Sequence, residues 1–158
     1  VFDLCDLLEV ATAKIPTLSG VKYTDGDLTA IGPCLERFGD RVQILMGCDE
    51  RLLDAVELGV TAAIGSTYNY AAPVYHRVLA AFHRGDHEAA RREQDLAAAF
   101  VDTLISVGVL PGGKAIMEWI GIDVGPPRRP EEPLSPEVAE AFQEAISSMD
   151  VFASDLFK

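Results

Sequence analysis

The fold is decided by the stretch Ser19-Gly20-Val21-Lys22-Tyr23-Thr24. Its β-prone residues predict a short strand at about 19–24 that passes into a loop, with Lys22 close to the strand end. Lysine is rarely buried without a partner, and burial favours the neutral amine that can attack a carbonyl carbon. A Schiff-base nucleophile requires such an amine. The common alternative, a strand-end lysine that simply reaches solvent, stays open at this point.

Composition and charge narrow the class of protein. The chain has 158 residues, 49% hydrophobic and 24% charged, which is typical of one globular domain. A net charge of −12 without a basic patch argues against nucleic acid and anionic membranes as partners. No apolar run reaches the ~18 residues of a membrane span, so we expect a cytoplasmic protein. We interpret Cys5, Cys34 and Cys48 as small buried thiols in a reducing compartment, because they lack metal-type spacing.

The N-terminal residues look like the interior of a longer sequence. The chain opens with Val1 rather than Met. Apolar residues recur at helical spacing from Phe2 to Ala11, without a loop or a cap before them. We therefore expect the chain to be cut from something longer.

Strands and helices are predicted to alternate in the first half of the chain. The predicted strands are 19–24, 42–47 and 61–65, and the helices that follow them are about 27–38, 49–59 and 72–84. This alternation predicts parallel βα units, either in a doubly wound sheet or in a (β/α)₈ barrel. In both architectures the chemistry lies beyond the carboxyl ends of the strands.

Polar residues fall at these three predicted strand ends, where they would face one pocket. They are Lys22 and Thr24, then Gly47, Asp49 and Glu50, and finally Gly65, Ser66, Thr67 and Asn69. An acidic pair that stabilises a helix start is the alternative for Asp49 and Glu50. The Gly65 loop lacks the spacing of a phosphate-binding motif, so nucleotide binding has little support.

After Gly85 the chain is predicted to be helical. Helices are expected from Asp86 to Val107, from Lys114 to Ile120, and from an N-cap at Ser135 onward. The proline-rich stretch 125–133 is expected to be an extended connector.

Four motifs carry a resemblance to a known family. They are Ile15-Pro16-Thr17-Leu18-Ser19-Gly20-Val21-Lys22-Tyr23-Thr24-Asp25, Gly47-Cys48-Asp49-Glu50, Gly65-Ser66-Thr67-Tyr68-Asn69, and Lys114-Ala115-Ile116-Met117 with Gly125-Pro126-Pro127-Arg128. On these motifs the chain resembles the N-acetylneuraminate lyase branch of the dihydrodipicolinate synthase/aldolase superfamily.

The resemblance implies a fold and an assembly. It implies an α/β protein, with residues 1–85 forming about strands six to eight of a (β/α)₈ barrel and residues 86–158 a helical extension packed on it. Members of the family are about twice as long, so strands one to five are expected outside this chain. They are usually homotetramers, and they use no metal or organic cofactor.

The resemblance also implies a reaction on a small-molecule substrate. Lys22 would form a Schiff base with open-chain sialic acid and cleave it to N-acetylmannosamine and pyruvate. Thr24, Gly47, Asp49, Glu50 and Ser66 match the family positions that hold the hydroxyl chain of the sugar. One alternative is another pyruvate-dependent 2-keto-acid aldolase, or a dihydrodipicolinate synthase-like enzyme. A second is a non-catalytic half-barrel interaction module, whose open sheet edges would favour self-association.

Overall fold

Three short parallel strands organise the N-terminal part of the chain. The structure is a computed structural model that describes residues 3–152. These residues divide into two units, the first ending at Gly65 and the second beginning at Ser66. The division expected from the sequence, between residues 85 and 86, stays a prediction.

The first unit contains a parallel sheet in the order β1-β2-β3. Its strands are β1 (Gly20–Tyr23), β2 (Gln43–Met46) and β3 (Ala62–Ala63). The register pairs Lys22 with Leu45, and Leu45 with Ala62. The predicted parallel βα arrangement is therefore confirmed for these strands, each of which is shorter than its sequence pattern suggested.

Helices of the first unit cover one face of this sheet. They are α1 (Leu4–Lys14), α2 (Ile31–Phe38) and α3 (Leu52–Glu57), with a 3₁₀ turn at Asp49–Arg51 before α3. Alternate strand residues point to opposite faces, so Val21, Tyr23 and Ile44 pack against the apolar residues of α1 and α2. Lys22 and Gln43 are exposed on the opposite face.

Two helix starts differ from the sequence prediction. Asp3 caps α1, since its carboxylate accepts a hydrogen bond from the Asp6 amide at 3.0 Å, whereas we expected no cap. Phe2, which opened the predicted helix, lies outside the described residues. Helix α2 begins at Ile31 rather than near residue 27, because the Asp25 and Asp27 carboxylates accept local backbone amides and hold a loop there.

The interpretation of the cysteines as three thiols is wrong for two of them. Cys5 in α1 and Cys34 in α2 are buried and joined by a disulfide, with their Cα atoms 5.4 Å apart. The packing of the two helices brings these residues within disulfide range although 29 positions separate them. Cys48 is a free, half-buried cysteine.

Between residues 66 and 152, the second unit has four helices that follow a 3₁₀ turn at Thr67–Asn69. They are α4 (Ala72–His83), α5 (His87–Val107), α6 (Val109–Trp119) and α7 (Pro136–Ser147). Phe100 of α5 is fully buried and makes edge-to-face contacts with Tyr70 and Phe152. Residues 120–135 contain turns but no helix or strand, as the proline-rich composition predicts.

Helix α6 begins five residues earlier than predicted, at Val109. The Pro111-Gly112-Gly113 sequence looks like a helix breaker, but Pro111 occupies the first turn, where proline is tolerated. The two glycines permit close packing. A Cβ atom at Gly112 would lie 2.7 Å from Leu104 Cδ1, and one at Gly113 would lie 3.0 Å from Tyr70 Oη.

Helix α5 is the longest helix within residues 3–152. Its N-cap is Asp86, which accepts a hydrogen bond from the Ala89 amide, and the helix ends at Val107, before Gly108 with φ +92°. In the described part of the chain no single helix has the length and apolarity to cross a membrane. Only α5 and α6 taken together pass that test, and they are bent by 108°.

Candidate active site

Lys22, Thr24 and Gly47 come together where β1 and β2 end. The Gly47 amide donates to the Tyr23 carbonyl at 2.7 Å, which fixes the two strand ends side by side. A Cβ atom at Gly47 would lie 2.0 Å from Thr24 Oγ1 and 2.7 Å from Lys22 Cε. The hydroxyl of Thr24 and the stem of Lys22 thus occupy the space that any larger residue at position 47 would take.

The structure shows which alternative for the exposure of Lys22 holds. The residue is exposed, as expected of a strand-end lysine that reaches solvent. The reason is its position in the strand: neighbours Val21 and Tyr23 pack toward the helices, so Lys22 points from the opposite face of the sheet. Thr24 is exposed as well.

Asp49 lies over the end of β3. It is the first residue of the 3₁₀ turn after β2 and is only 6% exposed. A Cβ atom at Gly65 would lie 1.6 Å from Asp49 Oδ1, so the carboxylate occupies the space next to this glycine. Glu50, the following residue, is half-buried. Two carboxylates therefore follow β2 directly, as the sequence pattern predicted.

Tyr23 and Arg51, to which the sequence assigned no role, attach the loop after β1. The Tyr23 hydroxyl donates to the Asp27 carbonyl at 2.5 Å. The Arg51 guanidinium donates to the Gly26 carbonyl at 3.0 Å. The position of Arg51, directly after the acidic pair and at the start of a short helix, was the only signal in the sequence.

The pKa values of Cys48 and Tyr23 are raised, first by burial and then by nearby carboxylates. Burial raises the pKa of Cys48, and Glu50, Asp49 and Asp25 raise it further. Burial likewise raises the pKa of Tyr23, with Asp25 adding to the effect. Within residues 3–152 no group of three or more His, Cys, Asp or Glu side chains is arranged to hold a metal ion.

Ser66 belongs to the second unit and is described there. It is exposed, and its carbonyl accepts hydrogen bonds from the Asn69 amide at 3.2 Å and from Asn69 Nδ2 at 2.9 Å. Thr67 is buried and donates to the Tyr75 hydroxyl at 2.7 Å, while the Tyr68 and Tyr75 rings meet edge to face. Residues Thr67–Asn69 thus form a 3₁₀ turn that is anchored on α4.

The chain is similar to known proteins in both sequence and structure. A model of the dihydrodipicolinate synthetase family matches residues 8–149. The N-acetylneuraminate lyase of Sus scrofa is 36% identical over 94% of this chain and 47% of its own length. That of Mus musculus is 36% identical over 97% of this chain and 49% of its own length.

Solved structures give a similar result. The N-acetylneuraminate lyase of Proteus mirabilis superposes with a TM-score of 0.90 at 34% identity, covering 96% of this chain and 52% of its own. The enzyme of Aliivibrio salmonicida gives a TM-score of 0.89 at 34% identity, with 96% and 50% covered. The chain spans about half the length of the curated relatives it matches.

The fold and the residues at the strand ends together indicate the class of protein. This is a parallel α/β protein with an amine and a hydroxyl at the carboxyl end of one strand and two carboxylates after the next strand. With the family match over residues 8–149, the chain belongs to the dihydrodipicolinate synthetase family.

Proposed function

We propose that the protein carrying this chain is a Schiff-base aldolase of the N-acetylneuraminate lyase type. One observation carries the proposal: Lys22 Cε and Thr24 Oγ1 both lie within 3 Å of the position that a Cβ atom at Gly47 would take. An amine beside a hydroxyl at the carboxyl end of a strand suits imine chemistry on a hydroxylated substrate. The names of the relatives at 36% identity agree with it.

The proposed reaction uses Lys22 as the nucleophile. Its amine attacks the C2 carbonyl of the open-chain sugar acid, and loss of water gives an imine. The protonated imine accepts the electron pair of the C3–C4 bond while the C4 hydroxyl loses its proton, which releases N-acetylmannosamine. Protonation at C3 and hydrolysis then release pyruvate and restore the lysine. This sequence needs no metal or organic cofactor.

We propose that Thr24, Gly47, Asp49, Glu50 and Ser66 hold the hydroxyl groups of the sugar. Each buried hydroxyl of a ligand must find a hydrogen-bond partner, so a polyol needs several donors and acceptors. The position of Asp49 supports this role. Its carboxylate is nearly buried beside Gly65, where its direction is restricted.

We propose further that residues 1–85 supply about strands six to eight of a (β/α)₈ barrel, with residues 86–158 as a helical extension on it. The parallel register of β1, β2 and β3 and the high TM-scores support this proposal. A homo-oligomer and a cytoplasmic location are proposed on the same family grounds. In a cytoplasm, Cys5 and Cys34 would be expected as thiols, so their state in a fresh extract tests the location.

The experiment that tests the activity is release of pyruvate from N-acetylneuraminate. It uses two preparations, the chain alone and the chain co-expressed with the N-terminal half of the Sus scrofa relative. Each preparation is made with the wild-type chain and with Lys22→Ala. The matched control is Lys14→Ala, which changes another exposed lysine of the same unit. Lys22→Ala is expected to abolish turnover and Lys14→Ala to leave it unchanged. Full turnover by Lys22→Ala would contradict the proposal.

A second candidate substrate is favoured by the family model, which is named for dihydrodipicolinate synthetase. The same preparation can be tested with pyruvate as the donor and aldehydes other than N-acetylmannosamine as acceptors. Faster turnover with these than with N-acetylneuraminate would assign the chain to another 2-keto-acid aldolase.

A further inference from the structure

Arg51 links the loop after β1 to the helix after β2. Its Nη1 donates to the Gly26 carbonyl at 3.0 Å, and its Nε donates to Asp54 Oδ2 at 2.6 Å. We propose that Arg51, together with Tyr23, is a positioning residue that holds the loop 24–29 so that the Thr24 hydroxyl stays beside Lys22. The effect of this positioning on catalysis rests on the proposed function.

The loop between Thr24 and Leu28 has little packing of its own. Residues 24–27 are exposed, and a Cβ atom at Gly26 would meet no atom within 4 Å. Leu28 is buried and anchors the far end. The position of the exposed part must therefore be set by hydrogen bonds, because apolar burial cannot set it.

Internal hydrogen bonds shape this loop without attaching it to anything. Asp25 accepts from the Asp27 amide and Asp27 accepts from the Thr29 amide, each at 3.0 Å. Both bonds close turns within the loop. Neither bond holds the loop at the strand end, and a loop released from its attachments opens these turns more often.

Attachment to the rest of the unit comes from Tyr23 and Arg51. The Tyr23 hydroxyl donates to the Asp27 carbonyl, and Tyr23 lies between Lys22 and Thr24 in sequence. Burial keeps this hydroxyl protonated to a higher pH than usual by raising the pKa of Tyr23, so it remains a donor. Tyr23 thus ties the loop to β1, and Arg51 ties it to the turn that carries Asp49 and Glu50.

The bond between Arg51 and Asp54 directs the guanidinium toward Gly26. Charge-assisted hydrogen bonds at this distance are among the stronger ones, and the planar guanidinium can serve two acceptors at once. The pair is partly exposed, so its contribution to overall stability is expected to be small. Loss of Arg51 should consequently affect the loop much more than the fold.

The first test measures the loop itself. Amide hydrogen exchange of residues 24–29 is compared in the wild-type chain, Arg51→Met, Arg51→Lys and Tyr23→Phe. Arg51→Met and Tyr23→Phe are each expected to speed exchange by roughly tenfold, the effect of losing one hydrogen bond of ordinary strength. Arg51→Lys cannot serve both acceptors in the same geometry, but it keeps the positive charge and can donate to one of them. It should therefore speed exchange less than Arg51→Met does.

The matched control is Arg92→Met, which removes an exposed arginine paired with Glu88 in the second unit. It should leave exchange of residues 24–29 unchanged. Unchanged exchange in Arg51→Met would overturn the inference, whatever the activity.

The second test separates positioning from general damage. It uses the preparation that cleaves N-acetylneuraminate. Arg51→Met should raise KM by about tenfold and change kcat by less than about threefold, because the loop holds Thr24 while Lys22 stays in β1. The yield of the pyruvate adduct on Lys22 should not change, since pyruvate lacks the hydroxyl chain. Equal losses in kcat and adduct yield would contradict the positioning role.

The two proposals can fail separately. Faster loop exchange in Arg51→Met, with no adduct on wild-type Lys22 in any preparation, would refute the proposed function and leave the loop attachment standing. An adduct on Lys22, with unchanged loop exchange and unchanged KM in Arg51→Met, would refute the inference about Arg51 alone.

Discussion

Replacing Gly47 with alanine tests whether the space at this position is needed by the site. The new Cβ atom would lie 2.0 Å from Thr24 Oγ1 and 2.7 Å from Lys22 Cε, whereas ordinary contact begins at 3.4 Å. The threonine hydroxyl is therefore more than an ångström too close, and it sits on a short side chain. Lys22 can adjust by rotation of its long stem, but Thr24 has to turn away or its backbone has to move.

The effects on stability and activity should differ in size. Both side chains are exposed and can move into solvent, so the overpacking cost should be near the low end of its range, about 1 kcal/mol. A displacement of about 1 Å in a catalytic constellation can cost roughly 100-fold in rate. We therefore expect kcat/KM of Gly47→Ala to fall by about two orders of magnitude while the protein remains folded.

The assay combines urea unfolding with cleavage of N-acetylneuraminate. The matched control is Gly32→Ala in α2, where a Cβ atom would meet nothing within 4 Å. That change should leave activity intact and raise the free energy of unfolding by up to about 1 kcal/mol, because alanine is the better helix former. A Gly47→Ala variant with wild-type kcat/KM would refute the geometric reasoning about Lys22 and Thr24.

Three further predictions concern the first unit. Cys5→Ser is expected to lower the free energy of unfolding by about 3–4 kcal/mol, since the bond to Cys34 closes a loop across 29 positions; an unchanged urea midpoint would contradict this. Because burial, Glu50 and Asp49 raise the pKa of Cys48, alkylation of Cys48 at mildly alkaline pH should be slower than that of free cysteine. Glu50→Gln should speed this alkylation, and equal rates before and after the substitution would count against a contribution of Glu50 to the raised pKa. Because the folded state favours protonated Tyr23, the stabilising contribution of Tyr23 is complete below the unfolded pKa of 10.0 and is lost as pH rises through the raised folded pKa. Tyr23→Phe should therefore make the free energy of unfolding decline less steeply above pH 10.0. An equally steep decline in Tyr23→Phe would exclude Tyr23 as the cause.

Much of the first unit could be predicted because its signals are local. The β-prone run around Val21 and the nearly continuous apolar run at 42–46 mark two of the strands without any knowledge of their partners. Alternating strands and helices then require a parallel arrangement, so polar residues after each strand gather at one edge of the sheet. This reasoning predicted Lys22, Thr24 and Gly47 as neighbours.

Contacts between residues distant in sequence could not be predicted. The disulfide from Cys5 to Cys34 and the bond from Arg51 to Gly26 depend on how helices and loops pack, and no local pattern encodes either. The sequence left the exposure of Lys22 open for a related reason. A strand-end lysine is withdrawn from solvent only if other elements cover its face of the sheet, and the pattern within one strand carries no information about them.

The start of α6 was predicted too late because local helix propensities do not take packing into account. Glycine and proline weigh against a helix in any local scale, but Gly112 is favoured here because Leu104 Cδ1 lies where its side chain would be. Packing against Leu104, which the local sequence does not reveal, therefore allows α6 to begin at Val109 and to include Gly112.

The most direct test of the account is borohydride reduction in the presence of pyruvate. The reaction is done on the chain alone and on the chain co-expressed with the N-terminal half of the Sus scrofa relative, and is read by intact mass and peptide mapping. Lys22→Ala is the negative control, and Lys114→Ala changes a lysine whose ammonium donates to the Val124 and Gly125 carbonyls of the second unit. We predict a reduced carboxyethyl adduct on Lys22 that persists in Lys114→Ala. Absence of an adduct in both preparations, or an adduct that persists in Lys22→Ala, would contradict the assignment of Lys22 as a Schiff-base nucleophile.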